Sequence, residues 1–183
     1  MPKLKMSQTQ MLNEFLSIKE ETDKLFGGIS EEQFNKKPNE ERWSSAECIA
    51  HLNLIAHGYT KYFPIELNTR KEIGNLSDKQ YQTRILAGLF ISKMMPDSKL
   101  KLHTPSEYQA AESELPKSII VDFQTIQDQF IHLLKRTEYD ELKSRTVRSP
   151  VASFLKFQLG ELFILHIGHQ KRHLIQAKNA INF

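Results

Sequence analysis

The sequence predicts an all-α protein built as a four-helix bundle. Apolar residues recur at helical spacing in four long segments of comparable length, and alternating segments typical of strands are almost absent. At 183 residues, the chain has the length of about one domain, so we expect a single domain over residues 1–183. A hydrophobic fraction of 39% is sufficient for a sizeable core.

The first helix is predicted from Thr9 to Phe26. Its apolar residues follow a period close to 3.6; they are Met11, Leu12, Phe15, Leu16, Ile18 and Leu25. Gly27 and Gly28 end this helix, because glycine accepts the backbone conformation that follows a last turn. A short capped turn is expected at Ser30.

The second helix has the clearest start in the chain. Ser44 and Glu47 form the pattern of a capping box, in which each side chain accepts a backbone N–H that the helix leaves free. Trp43, just before it, could staple the incoming chain onto the core. Apolar positions continue from Cys48 until Pro64, whose ring interrupts or kinks the helix.

The next part of the chain contains the third core helix and two less regular stretches. Residues 70–115 are interpreted as an insertion or long connection between core helices 2 and 3, with one helix from Lys79 to about Met94. The third core helix follows Pro116, and its apolar positions are Ile119, Ile120, Phe123, Ile126, Phe130, Leu133 and Leu134. Residues 138–150 are predicted to form a charged, irregular connection.

The last helix is predicted to begin between Ser153, a candidate N-cap, and Gly160, and to end near Ile181. Steps of three and four residues keep its stripe on one face; the stripe is Leu155, Leu159, Leu162, His166, His169, His173 and Gln176. Three histidines therefore replace apolar residues on the face that points to the core.

These core positions make the histidines candidate metal ligands. His169 and His173 leave the helix about 40° apart, and His166 lies within roughly 60° of both. Buried imidazoles are costly without partners, and one metal ion would satisfy several of them. The best candidate for a ligand from another helix is His51, whereas His57 lies about 240° around the second helix from it. Structural core histidines that hydrogen-bond to carbonyls or carboxylates would give the same pattern. Spacing alone therefore does not decide between a metal site and structural histidines.

Composition excludes several classes of protein. One cysteine, Cys48, excludes an intramolecular disulfide framework and CxxC-type metal or redox sites. A net charge of +3 without a basic block does not indicate nucleic-acid binding. No apolar run approaches the roughly 18 residues of a membrane span, and the polar start lacks a signal peptide, so a cytoplasmic protein is expected. The phosphate-loop, G-x-S-x-G and H-E-x-x-H motifs are also absent.

Two segments carry a family resemblance. Residues 42–52, RWSSAECIAHL, and residues 169–176, HQKRHLIQ, resemble the DinB family of DinB/YfiT-like metalloenzymes. That family pairs a WS-x-x-E-x-x-x-HL segment with an H-x-x-x-H-x-x-Q segment. The resemblance implies an up-down-down-up bundle, often a homodimer, in which His51, His169 and His173 bind one divalent metal ion. Three imidazoles suit zinc or nickel, and three ligands leave an open coordination position.

The resemblance also implies a class of function. It favours a metal-dependent enzyme that activates a low-molecular-weight thiol or water, like a thiol S-transferase, with a small-molecule substrate. The alternative is a non-catalytic metal-binding bundle related to stress, or an interaction module. His166 could be a fourth ligand, a partner of a ligand or a substrate contact.

Four further residues near these motifs receive expectations from their positions. Glu47 could orient His51, although its capping role already explains it. Gln176 could hydrogen-bond near the site or bridge helices. Lys171 and Arg172 are expected to be solvated.

Overall fold

The computed structural model describes residues 4–100, 104–110, 114–152 and 154–182. It is mostly helical, with a few short strands. In chain order the elements are β1 (Lys5–Met6), α1 (Gln8–Phe26), α2 (Glu31–Asn35), α3 (Ser45–Thr60), α4 (Ile65–Thr69), β2 (Tyr81–Gln82), α5 (Ile85–Ser92), a 3₁₀ turn (Ser106–Tyr108), α6 (Ile119–Arg136), α7 (Glu141–Ser144), β3 (Thr146–Arg148), β4 (Lys156–Gln158) and α8 (Leu159–Ile181).

The four long predicted helices are confirmed as α1, α3, α6 and α8. The capping box that begins α3 is present: the Ser44 hydroxyl accepts from the Glu47 N–H at 3.1 Å, and the Glu47 carboxylate accepts from the Ser44 N–H at 2.7 Å. A second capping box, between Ser7 and Gln10, sets the start of α1. The candidate N-cap Ser153 lies outside the described residues, and α8 begins at Leu159.

Two predictions about the connections are wrong. The helix expected from Lys79 to Met94 is replaced by β2, which pairs antiparallel with β1, and by the shorter α5. Residues 138–150 are not irregular, because they contain α7 and β3, and β3 pairs antiparallel with β4. Strands of two or three residues show too little alternation to be recognised, and their existence depends on a distant partner strand.

Aromatic rings fill the centre between the long helices. The Phe15 ring on α1 stacks on the Phe130 ring of α6 at 5.5 Å between centroids and meets the Phe163 ring of α8 edge-on at 6.2 Å. All three side chains are fully buried. Helix α3 packs against α8, where the Ser45 hydroxyl donates to the Ala177 carbonyl at 2.9 Å. This packing places one face of α3 directly against the histidine stripe of α8.

The 70–115 segment is attached to α8 at several points. The buried Tyr81 ring lies against Gly160, and the Met95 thioether lies against Gly168. Arg172 donates from its guanidinium to the carbonyls of Lys93, at 2.9 Å, and Leu100, at 2.6 Å. The segment therefore packs along α8 beside the positions of the histidines.

Replacing Gly160 with alanine is expected to destabilise the protein by about 2 kcal/mol, although glycine-to-alanine changes inside helices usually stabilise. The added Cβ would lie 2.6 Å from the Tyr81 ring, and that ring is held by a 2.8 Å hydrogen bond from its hydroxyl to Gln158. Urea unfolding of the variant and the wild type, with both free energies of unfolding extrapolated to zero urea in the same way, measures the effect.

The matched control is Gly168→Ala in the same helix. The nearest atoms to its Cβ would belong to Met95, with the sulfur at 2.5 Å, and the end of this flexible side chain can move aside. We expect this variant to be closer to the wild type in free energy of unfolding than Gly160→Ala. Equal stability of the two variants would show that the Tyr81 ring is not a rigid obstacle.

Candidate metal centre

Helices α3 and α8 bring three histidines together. His51 on α3 meets His169 and His173 on α8, and one ligand nitrogen from each lies within 4.8 Å of the others. The Nε2 atoms of His51 and His169 are 3.2 Å apart. Two nitrogens bound to a tetrahedral zinc at about 2.0–2.1 Å lie roughly 3.3 Å from each other. This spacing and the donor type both fit a divalent metal ion.

A backbone carbonyl orients the imidazole of His51. Nδ1 of His51 lies 2.7 Å from the carbonyl oxygen of Tyr108, in the 3₁₀ turn of the 70–115 segment. Because a carbonyl can only accept, Nδ1 carries the proton, and Nε2 presents a lone pair towards His169. Metal-binding histidines usually donate their second N–H to such a group, which holds the ring and its tautomer in place.

An indole ring packs against two of the histidines. The Trp43 ring is stacked with the His173 ring at 5.7 Å between centroids, and it lies 5.0 Å from the His51 ring. The residue expected to staple the start of α3 onto the core therefore also restricts the movement of two imidazoles. Its apolar surface shields them from water on that side.

Burial keeps the three imidazoles neutral at pH 7. It lowers the pKa of His51 and, with the neighbouring His173 and His51, holds the pKa of His169 well below its usual range. Burial, followed by the proximity of His51 and Arg172, lowers the pKa of His173 to about 3. Neutral imidazoles have the free lone pairs that a metal ion requires.

The other candidate residues lie around this group. Gln176 follows His173 by one turn of α8 and partly offsets the lowering of its pKa, whereas Nδ1 of His173 is buried and has no hydrogen-bond partner among the described residues. The Glu47 carboxylate accepts from the Ser44 N–H and pairs with Lys37 at 3.1 Å. The partner of the His51 ring is Tyr108.

His166 lies deeper in the bundle than the three converging histidines. Its ring packs against those of Phe130, at 4.3 Å, and Tyr59, at 4.9 Å. Its Nε2 is buried and has no hydrogen-bond partner among the described residues. It is not part of the group whose donor atoms converge. On α3, His57 faces the surface and pairs with Asp122 at 2.9 Å.

Sequence reasoning missed two contributions to this region. No residue pattern could indicate the Tyr108 carbonyl, because every residue carries the same main-chain oxygen. Arg172 is partly exposed, and its guanidinium also donates to main-chain carbonyls of the 70–115 segment, which sequence reasoning did not anticipate. Lys171 is ion-paired with Glu14. Neither contact has a signal in sequence, because both partners lie far away along the chain.

Acid is expected to destabilise the metal-free protein partly through His166. Burial lowers the pKa of His166 to about 3, whereas an unfolded histidine titrates near 6.5. Between these values the unfolded state binds one more proton, so the free energy of unfolding falls by about 1.4 kcal/mol for each pH unit of acidification. The stability is fully present above about pH 6.5 and is lost as the pH falls towards 3.

Urea unfolding of metal-free protein between pH 7 and pH 5 measures this effect. His166→Leu should reduce the slope of the free energy of unfolding against pH by about 1.4 kcal/mol per pH unit, which corresponds to one proton. His132→Asn, at an exposed position on α6, is the control and should keep the wild-type slope. An unchanged slope in His166→Leu would mean that His166 is not held neutral in the folded state.

Of three comparisons with known proteins, the one with protein-family models gives a match. A search of curated proteins and a search of solved structures each give no significant match. No helix among the described residues is long and apolar enough to cross a membrane. The family model of the DinB superfamily matches residues 15–177, a range that includes His51, His169 and His173 and most of the chain. The chain therefore belongs to the DinB superfamily.

Proposed function

We propose that this protein binds one divalent metal ion, zinc or nickel, through His51, His169 and His173. The observation that carries the proposal is the convergence of three neutral imidazoles, with donor atoms within 4.8 Å of one another. Membership of the DinB superfamily supports it independently of the geometry. Nitrogen donors of this type favour zinc and nickel over the harder cations.

We further propose that the protein is a metal-dependent enzyme that activates a low-molecular-weight thiol or water, in the manner of a thiol S-transferase. A divalent cation with an open coordination position lowers the pKa of a bound thiol or water towards neutrality. The Tyr108 carbonyl keeps the lone pair of His51 directed at the site, and Trp43 restricts the rings and excludes water on one side.

The thiol in this proposal comes with a second molecule. The chain has one cysteine, Cys48, which is fully buried. Burial raises the pKa of its thiol, and the nearby Glu47 raises it further, so the thiolate does not form near neutral pH. Cys48 is therefore a packing residue of α3.

We also propose the up-down-down-up order for α1, α3, α6 and α8, and a homodimer. In this order α1 and α8 run one way, and α3 and α6 run the other way. Contacts at both ends of the helices support it: Gln8–Thr137, Ile29–Lys117, Asn53–Ile119, Phe63–Phe130, Ser45–Ala177 and Tyr59–His166. Light scattering of the purified protein would test the dimer.

Elemental analysis of untagged protein tests the metal site. One equivalent of zinc or nickel, with imidazole nitrogens as ligands in the metal-edge absorption spectrum, is the expected result. Absence of stoichiometric metal, together with a melting temperature that added metal does not raise, would rule the site out.

A panel of low-molecular-weight thiols with electrophilic acceptors tests the enzymatic activity. We expect turnover that His169→Ala abolishes. Stoichiometric metal without any turnover across the panel would instead favour the non-catalytic metal-binding protein.

A further inference from the structure

The proposed metal site has no negative charge of its own among the described residues. All three donors are neutral imidazoles, and no carboxylate belongs to the converging group. Glu47, four residues before His51, is committed to Ser44 and Lys37. Bound to these ligands, a divalent cation would retain its full charge of about two units. A negatively charged ligand is therefore favoured in the open position.

Arg172 adds another positive charge beside the proposed metal ligands of α8. It directly precedes His173 in α8 and lies three residues after His169, a spacing at which two side chains are neighbours on a helix surface. Nη1 donates to the carbonyls of Lys93, at 2.9 Å, and Met95, at 3.5 Å, and Nη2 donates to Leu100 at 2.6 Å. Carbonyls are neutral acceptors, so these contacts position the guanidinium but do not cancel its charge.

Lys171, the cation next to Arg172 in α8, differs from it because a carboxylate balances its charge. Lys171 forms an ion pair with Glu14, so its charge is compensated within the protein. Among the described residues, no such carboxylate pairs with Arg172. The contacts of Arg172 with the three carbonyls also leave its Nε–H and one Nη2 hydrogen free of those bonds. A planar guanidinium with donors to spare is well suited to a carboxylate.

Apolar groups lie beside part of the proposed metal site. Trp43 covers two of the histidines, and the Met95 thioether lies against Gly168, next to His169. Arg172 itself is partly exposed, so an attraction between its charge and a carboxylate should weaken as salt is added.

From this imbalance of charge we infer that the molecule bound at the metal site is a small organic acid, whose carboxylate pairs with Arg172 while another of its atoms occupies the open coordination position. This inference rests on the proposed metal site and deepens it by naming the class of substrate or co-substrate. Arg172 is then a specificity-determining residue that contacts the bound molecule.

Two thiols of equal length test the inference on cobalt(II)-loaded protein. Mercaptopropionate carries a carboxylate where mercaptopropanol carries a neutral hydroxyl group, and both offer the same sulfur. Titration of the sulfur-to-cobalt charge-transfer absorption gives a dissociation constant for each. We expect mercaptopropionate to bind about tenfold more tightly, because a hydrogen-bonded ion pair contributes roughly that factor.

Variants of Arg172 test whether this residue causes the preference for mercaptopropionate over mercaptopropanol. In Arg172→Gln the two thiols should bind with about equal affinity, and Arg172→Lys should retain part of the preference for mercaptopropionate. If Arg172→Gln does not fold, two other measurements decide. One is the preference of Arg172→Lys, and the other is the ratio of the two dissociation constants of the wild type at high salt, because salt screens a preference that depends on charge. Equal binding of the two thiols to the wild type, or a preference that persists in Arg172→Gln, would overturn the inference. Failure of cobalt to bind at all would instead overturn the metal site, and this inference with it.

Discussion

Replacing His169 with alanine is expected to weaken the binding of a divalent metal ion by about 100- to 1,000-fold. Structural zinc sites with four ligands have apparent binding free energies of roughly 10–16 kcal/mol, so each ligand contributes about 2.5–4 kcal/mol. His169 is central to the group: its Nε2 is 3.2 Å from that of His51, and its ring lies 4.6 Å from that of His173. Competition with a chromophoric chelator measures the affinity.

The matched control is His57→Ala on α3. His57 is on the same helix as His51 but faces the surface, where it pairs with Asp122. We expect it to keep the wild-type affinity and the wild-type rise in melting temperature with added metal. Wild-type affinity in His169→Ala, or an equal loss in both variants, would contradict the assignment of the three ligands.

Replacing Arg84 with alanine is expected to destabilise the fold by about 2–4 kcal/mol. Its partner, the Glu161 carboxylate, is fully buried in the first turn of α8. That carboxylate accepts from Arg84 Nε at 2.9 Å, from Arg84 Nη2 at 2.6 Å and from the Gln158 N–H at 2.9 Å. Removing the guanidinium leaves a buried charge without its main partner, which costs about 3–5 kcal/mol in fully buried pairs. The half-exposed side chain of Arg84 reduces this figure.

Urea unfolding measures the loss, and a second variant tests its cause. Combining Arg84→Ala with Glu161→Gln removes the uncompensated charge and keeps the shape of the side chain. The double variant should therefore be more stable than the sum of the single changes predicts. If Arg84→Ala changes the free energy of unfolding by less than about 0.5 kcal/mol, the pair does not anchor the 70–115 segment to α8.

The connections between the helices show where sequence reasoning failed. The start of α3 was predictable because both halves of its capping box lie within four residues. The pairing of β1 with β2 was not, because helices α1 to α4 lie between the two strands along the chain. Residues 79–94 are apolar enough to resemble a helix, but Tyr81 is fully buried in a strand instead. The contact with a distant strand outweighed the local pattern.

The sequence by itself determined the four long helices and the face on which His169 and His173 lie. Both follow from helix geometry, in which residues four apart share a face whatever surrounds them. Only the tertiary structure brought His51 to His169, 118 positions away, and placed the Tyr108 carbonyl on the His51 ring. It also decided that Arg172 has carbonyl partners and that His166 lies among aromatic rings. Contacts between distant segments depend on how the helices pack, and main-chain acceptors leave no trace in the residue types.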